Sequence, residues 1–394
     1  MRLRGPAALL AGAILALMLL RMTIVRADPE SRRAQLLWAH HPSVLTAASM
    51  REVGLAAAAG ASPSSATLHK IGELALQEPL AVQPFLVEGA LAEKAGKVDR
   101  AGLLYREARR RDPRSLAAHY LLTDLYLRTG QTENGIRELA ELSRLVPAAT
   151  DQLAPAIAKF SHGPGAADQL RSMFHSNPQL EQPVLWVLAQ DPSNAGLILS
   201  VASTGESRSA PPPAWQERLL DAMVSQGQYS QAFATWSRIT GSSSSSGGGG
   251  LFNPSFRKIS APPPFNWSYG ATEAGVAEAA KGGLGILFYG RENAVLAQET
   301  LVLPPGAYQL TMPVTVNSGD PRSLAWSIYC LPGKTKLLNL PLAPKSGSGR
   351  VEGDFEVPAQ GCGAQQIELD GMIEDSPATV DLRIGPLTLQ RTSG

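Results

Sequence analysis

Cys330 and Cys362 are the residues of this chain whose type and placement point most directly to chemistry. Both lie in the last quarter of 394 residues, in a stretch of short apolar runs, where a pair in an exported chain reads as a disulfide. The other reading is two buried thiols in a reducing compartment. Neither has a histidine neighbour, so the pair does not make a zinc site. His40, His41, His69, His119, His162 and His175 all fall earlier, and none has a serine elbow or a cysteine partner in the surrounding pattern. Glu374 and Asp375 are adjacent carboxylates in a loop. Nothing in the pattern holds a second acid at the separation that glycoside hydrolysis needs. No glycine-rich phosphate loop precedes a helix. No cofactor, metal or catalytic set is expected, and the chain does not read as an enzyme.

Aromatic side chains offer a different chemistry. Trp267 and Tyr269, in a proline-rich stretch, are candidate glycan contacts, because a sugar's C–H bonds stack on the negative face of an aromatic ring. The competing reading puts Trp267 and Phe265 as plugs at the edge of a β-sandwich. The dense arginines Arg106, Arg109, Arg110, Arg111 and Arg114 read as the solvated face and cation-rich end of a helix stopping at Asp112–Pro113. Net charge is +1, so no nucleic-acid partner is indicated.

The elements that must position these residues change character along the chain. Residues 1–27 carry Arg2 and Arg4, then an apolar stretch from Gly5 to Leu20 that Arg21 interrupts and Met22 to Val25 continue. This reads as a transmembrane anchor with a cytoplasmic N-terminus and the bulk exported, in bacterial terms a single-pass inner-membrane protein facing the periplasm. A signal peptide cut before Asp28 is the alternative. Residues 28–240 show apolar positions at helical spacing, broken by Gly and Pro. Residues 241–250 are a Ser/Gly run that reads as a flexible linker. Residues 251–394 alternate short apolar runs with turn residues, which predicts an all-β domain. The expected fold class is therefore a helical repeat solenoid followed by a β-sandwich, with one N-terminal transmembrane helix.

Inside the helical part, Pro79, Pro113 and Pro147 recur every 34 residues, and Gly96 with Gly130 keeps the same interval. Phe85, Gly89, Ala101, Tyr105 and Pro113, then Leu122, Tyr126 and Pro147, resemble the tetratricopeptide repeat. Glu88 and Ala92 depart from that pattern, as do His119 and Thr123 in the second repeat. Small residues at 89 and 101 let two antiparallel helices approach, Phe85 and Tyr105 fill the space between them, and Gly96 permits the turn. Trp215 to Ile239 reads as another helix pair turning at Gly227.

Eight strands are expected, at 284–290, 295–303, 308–316, 324–331, 336–340, 351–357, 365–369 and 379–390, with Leu324, Trp326, Ile328 and Cys330 alternating onto a core face. The opening Asn253 to Phe256 and closing Asp381 to Leu389 resemble the two ends of galactose-binding-like jelly rolls. That resemblance implies carbohydrate binding for some members and protein binding for others. The combined expectation is a membrane-anchored, non-catalytic envelope scaffold that binds a protein or peptide on its repeats, along a surface with Tyr120, Asp124, Arg128 and Arg137. Polysaccharide assembly or export is one setting for it. The alternative is a carbohydrate-binding protein whose sandwich recognises glycan while the repeats act as a spacer.

Overall fold

The computed structural model describes residues 4–159, 161, 163, 165–203, 211–242, 250–344, 347–373 and 379–392, with side chains from residue 15 onward except at Ala57. The chain divides into two compact units between Leu153 and Ala154. Among the described residues there are fourteen α-helices, then twelve strands in two antiparallel sheets.

The first unit is helical: α1 (Arg4–Ala27), α2 (Arg32–Trp38), α3 (Pro42–Ala58), α4 (Ser65–Gln77), α5 (Gln83–Lys94), α6 (Val98–Arg111), α7 (Leu116–Arg128) and α8 (Thr132–Leu145). Ser31, Ser64 and Ser115 cap three of these helices by accepting from the N–H of Ala34, Thr67 and Ala118. Gly96 and Gly130 both have φ +74°, and behind them the Lys97 and Gln131 amides donate to the Ala92 and Tyr126 carbonyls. Those bonds close the ends of α5 and α7 in the way a left-handed glycine allows. The repeated interval seen in the sequence is thus the repetition of one helix ending.

The transmembrane expectation needs correction. The N-terminal segment is helical, but no helix among the described residues is long and apolar enough to cross a membrane. The side chains of residues 1–14 lie outside the described residues. Arg21 and Arg26 interrupt the apolar run at its described end. That end is also tied down: Val25 is buried with Ala34 and Val44, and the Arg21 guanidinium lies 4.1 Å from the centre of the Trp38 ring.

The second unit begins within α9 (Thr150–Lys159) and continues through α10 (Ala166–Ser176), α11 (Glu181–Leu188), α12 (Ala195–Val201), α13 (Ala214–Ser225) and α14 (Tyr229–Thr240). Gly227, at φ +75°, turns α13 into α14. The sandwich follows. One sheet runs β1 (Ser268–Tyr269), β5 (Ala294–Leu301), β10 (Ala364–Gly371), β7 (Leu324–Leu331), β8 (Thr335–Pro341). The other runs β12 (Thr388–Arg391), β6 (Gly306–Ser318), β11 (Val380–Ile384), β4 (Gly283–Phe288), β3 (Gly275–Ala280), β2 (Ala271–Thr272), with β9 (Ser348–Val357) also pairing with β6. Leu324, Trp326, Ile328 and Cys330 are buried in the core between the sheets, as their alternation predicts.

The final strand expected at 379–390 is split. At Gly385 the amide turns to the Pro313 carbonyl at 2.8 Å, and a Cβ there would come 2.4 Å from Pro313 Cγ, so the chain bends between β11 and β12. β1 to β3 were not expected from the sequence. Their run of Gly275, Ala277, Ala279 and Ala280 has low strand propensity, and pairing with β4 imposes the strand.

Linker residues 243–249 lie outside the described residues. The residues around them do not leave the sandwich free to reorient, as the linker reading implied. Trp236 of α14 packs edge-on against Phe252 with ring centres 4.4 Å apart, and its Nε1 donates to the Pro262 carbonyl at 2.8 Å. Phe233 meets Phe265 at 5.4 Å, while Tyr229 packs with Leu331 and Ala364. Aromatics on both sides of a low-complexity run dock α14 onto the sandwich.

Candidate binding surfaces

In the first unit, Ala101, Tyr105, Leu122 and Tyr126 share one buried cluster, with Phe85 packed against it. A Cβ at Gly89 would lie 2.3 Å from Tyr105 Cε1, so only glycine lets α5 and α6 come this close. Pro113 follows the end of α6, and Pro147 opens the turn after α8. The arginine patch is largely engaged: Arg110 and Arg111 grip Glu107, holding its carboxyl down at about 2, and Arg111 stacks over Phe85.

His119 replaces the aromatic of the first repeat and is buried. Its Nδ1 lies 2.6 Å from Glu138 Oε2, its Nε2 lies 3.0 Å from the Pro113 carbonyl, and Arg109 pairs with the other Glu138 oxygen. One charged cluster therefore ties α6, α7 and α8 together. The bond to Glu138 raises the His119 pKa, against the lowering effect of burial.

Outside this core, Tyr120 is 68% exposed on α7. One and two turns on, Asp124 accepts from Arg128 Nε at 2.9 Å, and Arg128 also pairs with Glu93 of α5. Tyr120, Asp124, Arg128 and Glu93 thus form an aromatic and charged row spanning two repeats. Arg137 does not join it, because it lies on α8 and pairs with Glu133 at 2.9 Å.

In the second unit Cys330 and Cys362 form a disulfide, as one of the two readings of the sequence expected. Trp267 is 4% exposed, with its Nε1 donating to the Asn253 carbonyl and its ring against Phe256 and Trp326. It is a core plug with no free face for a sugar, which corrects the glycan-contact reading. Tyr269 is half-buried with its hydroxyl enclosed, and burial pushes that hydroxyl up to about 12. Neither aromatic forms a platform.

The polar residues that do come together were not singled out from the sequence. Strand register aligns Ser268, Gln298, Glu368, Ser327 and Asn339 across β1, β5, β10, β7 and β8, with Thr300, Gln366, Tyr329 and Lys336 in the next row. These residues alternate with core-facing ones, so they lie on the outer face of the five-stranded sheet. Gln366 donates to Gln298 at 3.0 Å, Ser327 to Asn339 at 3.2 Å, and Lys336 sits over the Tyr329 ring. Burial, then the nearby Asp370, raises the Glu368 carboxyl. At one end, α13 brings Glu217 and Asp221 over the sheet, enclosing a cavity of about 100 Å³ with Ser268, Gln298, Thr300 and Gln366. Burial there lifts Asp221 to about 6. The available sequence signal was Gln366, Glu368 and Asp370 at every second position, a polar edge on a strand whose other face is apolar.

No protein-family model matches the chain, and no curated protein matches it. Solved structures show distant likenesses. A family 61 carbohydrate-binding module in complex with β-1,4-galactotriose is 16% identical, covering 36% of this chain and 99% of its own, at a TM-score of 0.27. A tetratricopeptide protein with an unusual peptide-binding site is 12% identical, covering 43% and 90%, at 0.24. The flexible tandem repeat domain of a bacterial cellulose synthase is 16% identical, covering 52% and 85%, at 0.22. The architecture described above rests on the chain's own elements.

Proposed function

We propose that this chain is a non-catalytic scaffold on the exported side of a membrane, holding a protein or peptide partner against the α5–α7 face of its repeats. The observation that carries this reading is the exposed set of Tyr120, Asp124 and Arg128 on α7, which half-buried Glu93 ties to α5 while accepting from the hydroxyl of core Tyr105 at 2.8 Å. An exposed aromatic flanked by both charge signs suits a polypeptide better than an apolar ligand. The Cys330–Cys362 bridge supports an oxidising compartment. Placing a photo-crosslinking amino acid at position 120 in the native host tests the reading. A discrete protein adduct that Arg128→Glu abolishes is expected. Irradiation that gives no adduct at position 120, or equal labelling from the same probe at exposed Leu103, would refute it.

A second reading, glycan recognition by the sandwich, is favoured by the polar outer face of the five-stranded sheet. Its accessible groups, the amides of Gln298, Gln366 and Asn339 and the ammonium of Lys336, offer donors and acceptors to a polyhydroxy ligand, while Ser327, Thr300 and Glu368 on the same face are buried. Retardation in polysaccharide gels that Gln366→Ala removes would support it.

A further inference from the structure

The described part of α1 is exposed and apolar. Leu15, Leu17, Met18, Leu19, Leu20 and Met22 are between 42% and 66% exposed. At 3.6 residues per turn these six point in every direction about the helix axis. A flat protein surface covers one side of a helix; an all-round apolar helix calls for surroundings that enclose it. On α2, Leu36 is 80% exposed and Leu37 is exposed beside it. The Arg21–Trp38 stack fixes α2 against the end of α1, so the two apolar surfaces keep one relation to each other. Arg26, Arg32 and Arg33 are exposed around this junction, and among the described residues no ion pair ties them down. Between residues 15 and 41 there are four arginines against two acids, Asp28 and Glu30, a surplus of two positive charges. A protein groove explains apolar exposure on one side; it does not explain a cationic collar around an apolar shaft.

We propose that α1 and α2 form one lipid-contacting surface, in which acyl chains surround Leu15 to Met22, Leu36 and Leu37 enter the headgroup layer, and Arg26, Arg32 and Arg33 meet the phosphates of anionic lipids. The surface needs no crossing of the bilayer, since a short all-round apolar segment ending in arginines can enter from one side with its charges left at the headgroups. The inference rests on the membrane placement in the proposed function and adds the lipid class and the role of α2.

The test uses the full, oxidised chain with an environment-sensitive fluorophore on Leu36→Cys, or on Tyr120→Cys as control. Both native cysteines are in the disulfide, so the label goes only to the introduced thiol. Vesicles of phosphatidylcholine alone are compared with vesicles containing one quarter phosphatidylglycerol. Co-flotation is expected with a blue shift at position 36 and none at 120. Arg32→Gln with Arg33→Gln should weaken binding to the anionic vesicles roughly 30-fold and leave binding to neutral vesicles unchanged. Flotation without a shift at 36 overturns the role of α2 and leaves membrane attachment standing. A shift without vesicles that grows with protein concentration overturns the lipid assignment in favour of a second copy of the chain. Absence of flotation from either vesicle overturns both the inference and the membrane placement.

Discussion

Replacing Glu299 with glutamine should stabilise the second unit, and more so as pH rises. Glu299 lies on β5 beside Ile367 of β10, facing the sandwich core, and is 2% exposed. Its Oε1 accepts from the Phe252 amide at 3.0 Å, while Oε2 is buried without a partner. Burial pushes this carboxyl up to about 8 from an ordinary 4.5, opposed in part by the Phe252 bond. A raised folded-state value means the native protein keeps a proton that the unfolded chain has released. The associated stability is fully present below pH 4.5 and is lost as pH climbs through 8. At about 1.4 kcal/mol per pH unit, the loss is about 3 kcal/mol by pH 7 and about 5 kcal/mol above pH 8. Glutamine keeps the acceptor for Phe252 and cannot ionise. The assay is urea unfolding of the full, oxidised chain between pH 5 and 9 by tryptophan fluorescence; Trp186, Trp215, Trp236, Trp267 and Trp326 all lie in the second unit. The difference between wild type and Glu299→Gln should widen from pH 5 to about 8 and then level off, whatever the other titrating groups do. A constant difference across that range would refute the buried, proton-holding carboxyl.

Two further outcomes concern the repeats. Gly89→Ala should cost about 1–3 kcal/mol, because the new methyl meets the Tyr105 ring at 2.3 Å, whereas Gly60→Ala, with open space around it, should cost only about the price of a positive φ; denaturant midpoints followed by helical circular dichroism separate the two. Removing Glu138 as Glu138→Gln should lower the His119 pKa, measurable by imidazole proton NMR, since Glu138 is the main cause of its elevation. With a raised folded value, His119 contributes stability that is complete below its ordinary 6.5 and is lost as pH rises above it, and this slope should vanish in the variant.

The sequence exposed most of what depends on local regularity. The 34-residue interval marks a helix ending that must be rebuilt in each repeat, and Gly96 and Gly130 carry it in both. The alternation from Leu324 to Cys330 marks the core-facing side of a strand, and those residues are buried, as are Ala325 and Ser327 on the other side. What stayed illegible depends on partners distant in the chain. Trp267 could be read from the sequence either as a glycan contact or as a plug of the sandwich, because Phe256 and Trp326, which enclose it, lie 11 and 59 positions away. The polar outer face of the sheet exists only once β1, β5, β10, β7 and β8 are in register, since no single strand carries more than a few of its residues. The docking of α14 was hidden for a similar reason: a Ser/Gly run reads as slack, yet Phe252 and Phe265 just beyond it find Trp236 just before it.

The disulfide stands beside that docking point. Cys330 is followed directly by Leu331, Cys362 is followed within two residues by Ala364, and Tyr229 of α14 rests on both, with Gly363 leaving room for its ring. The bridge therefore clamps the patch that receives the helix. Reducing the bridge should loosen the seat of α14 as well as the sandwich itself. A chain whose thiols have not joined would present α14 with a more loosely held landing place.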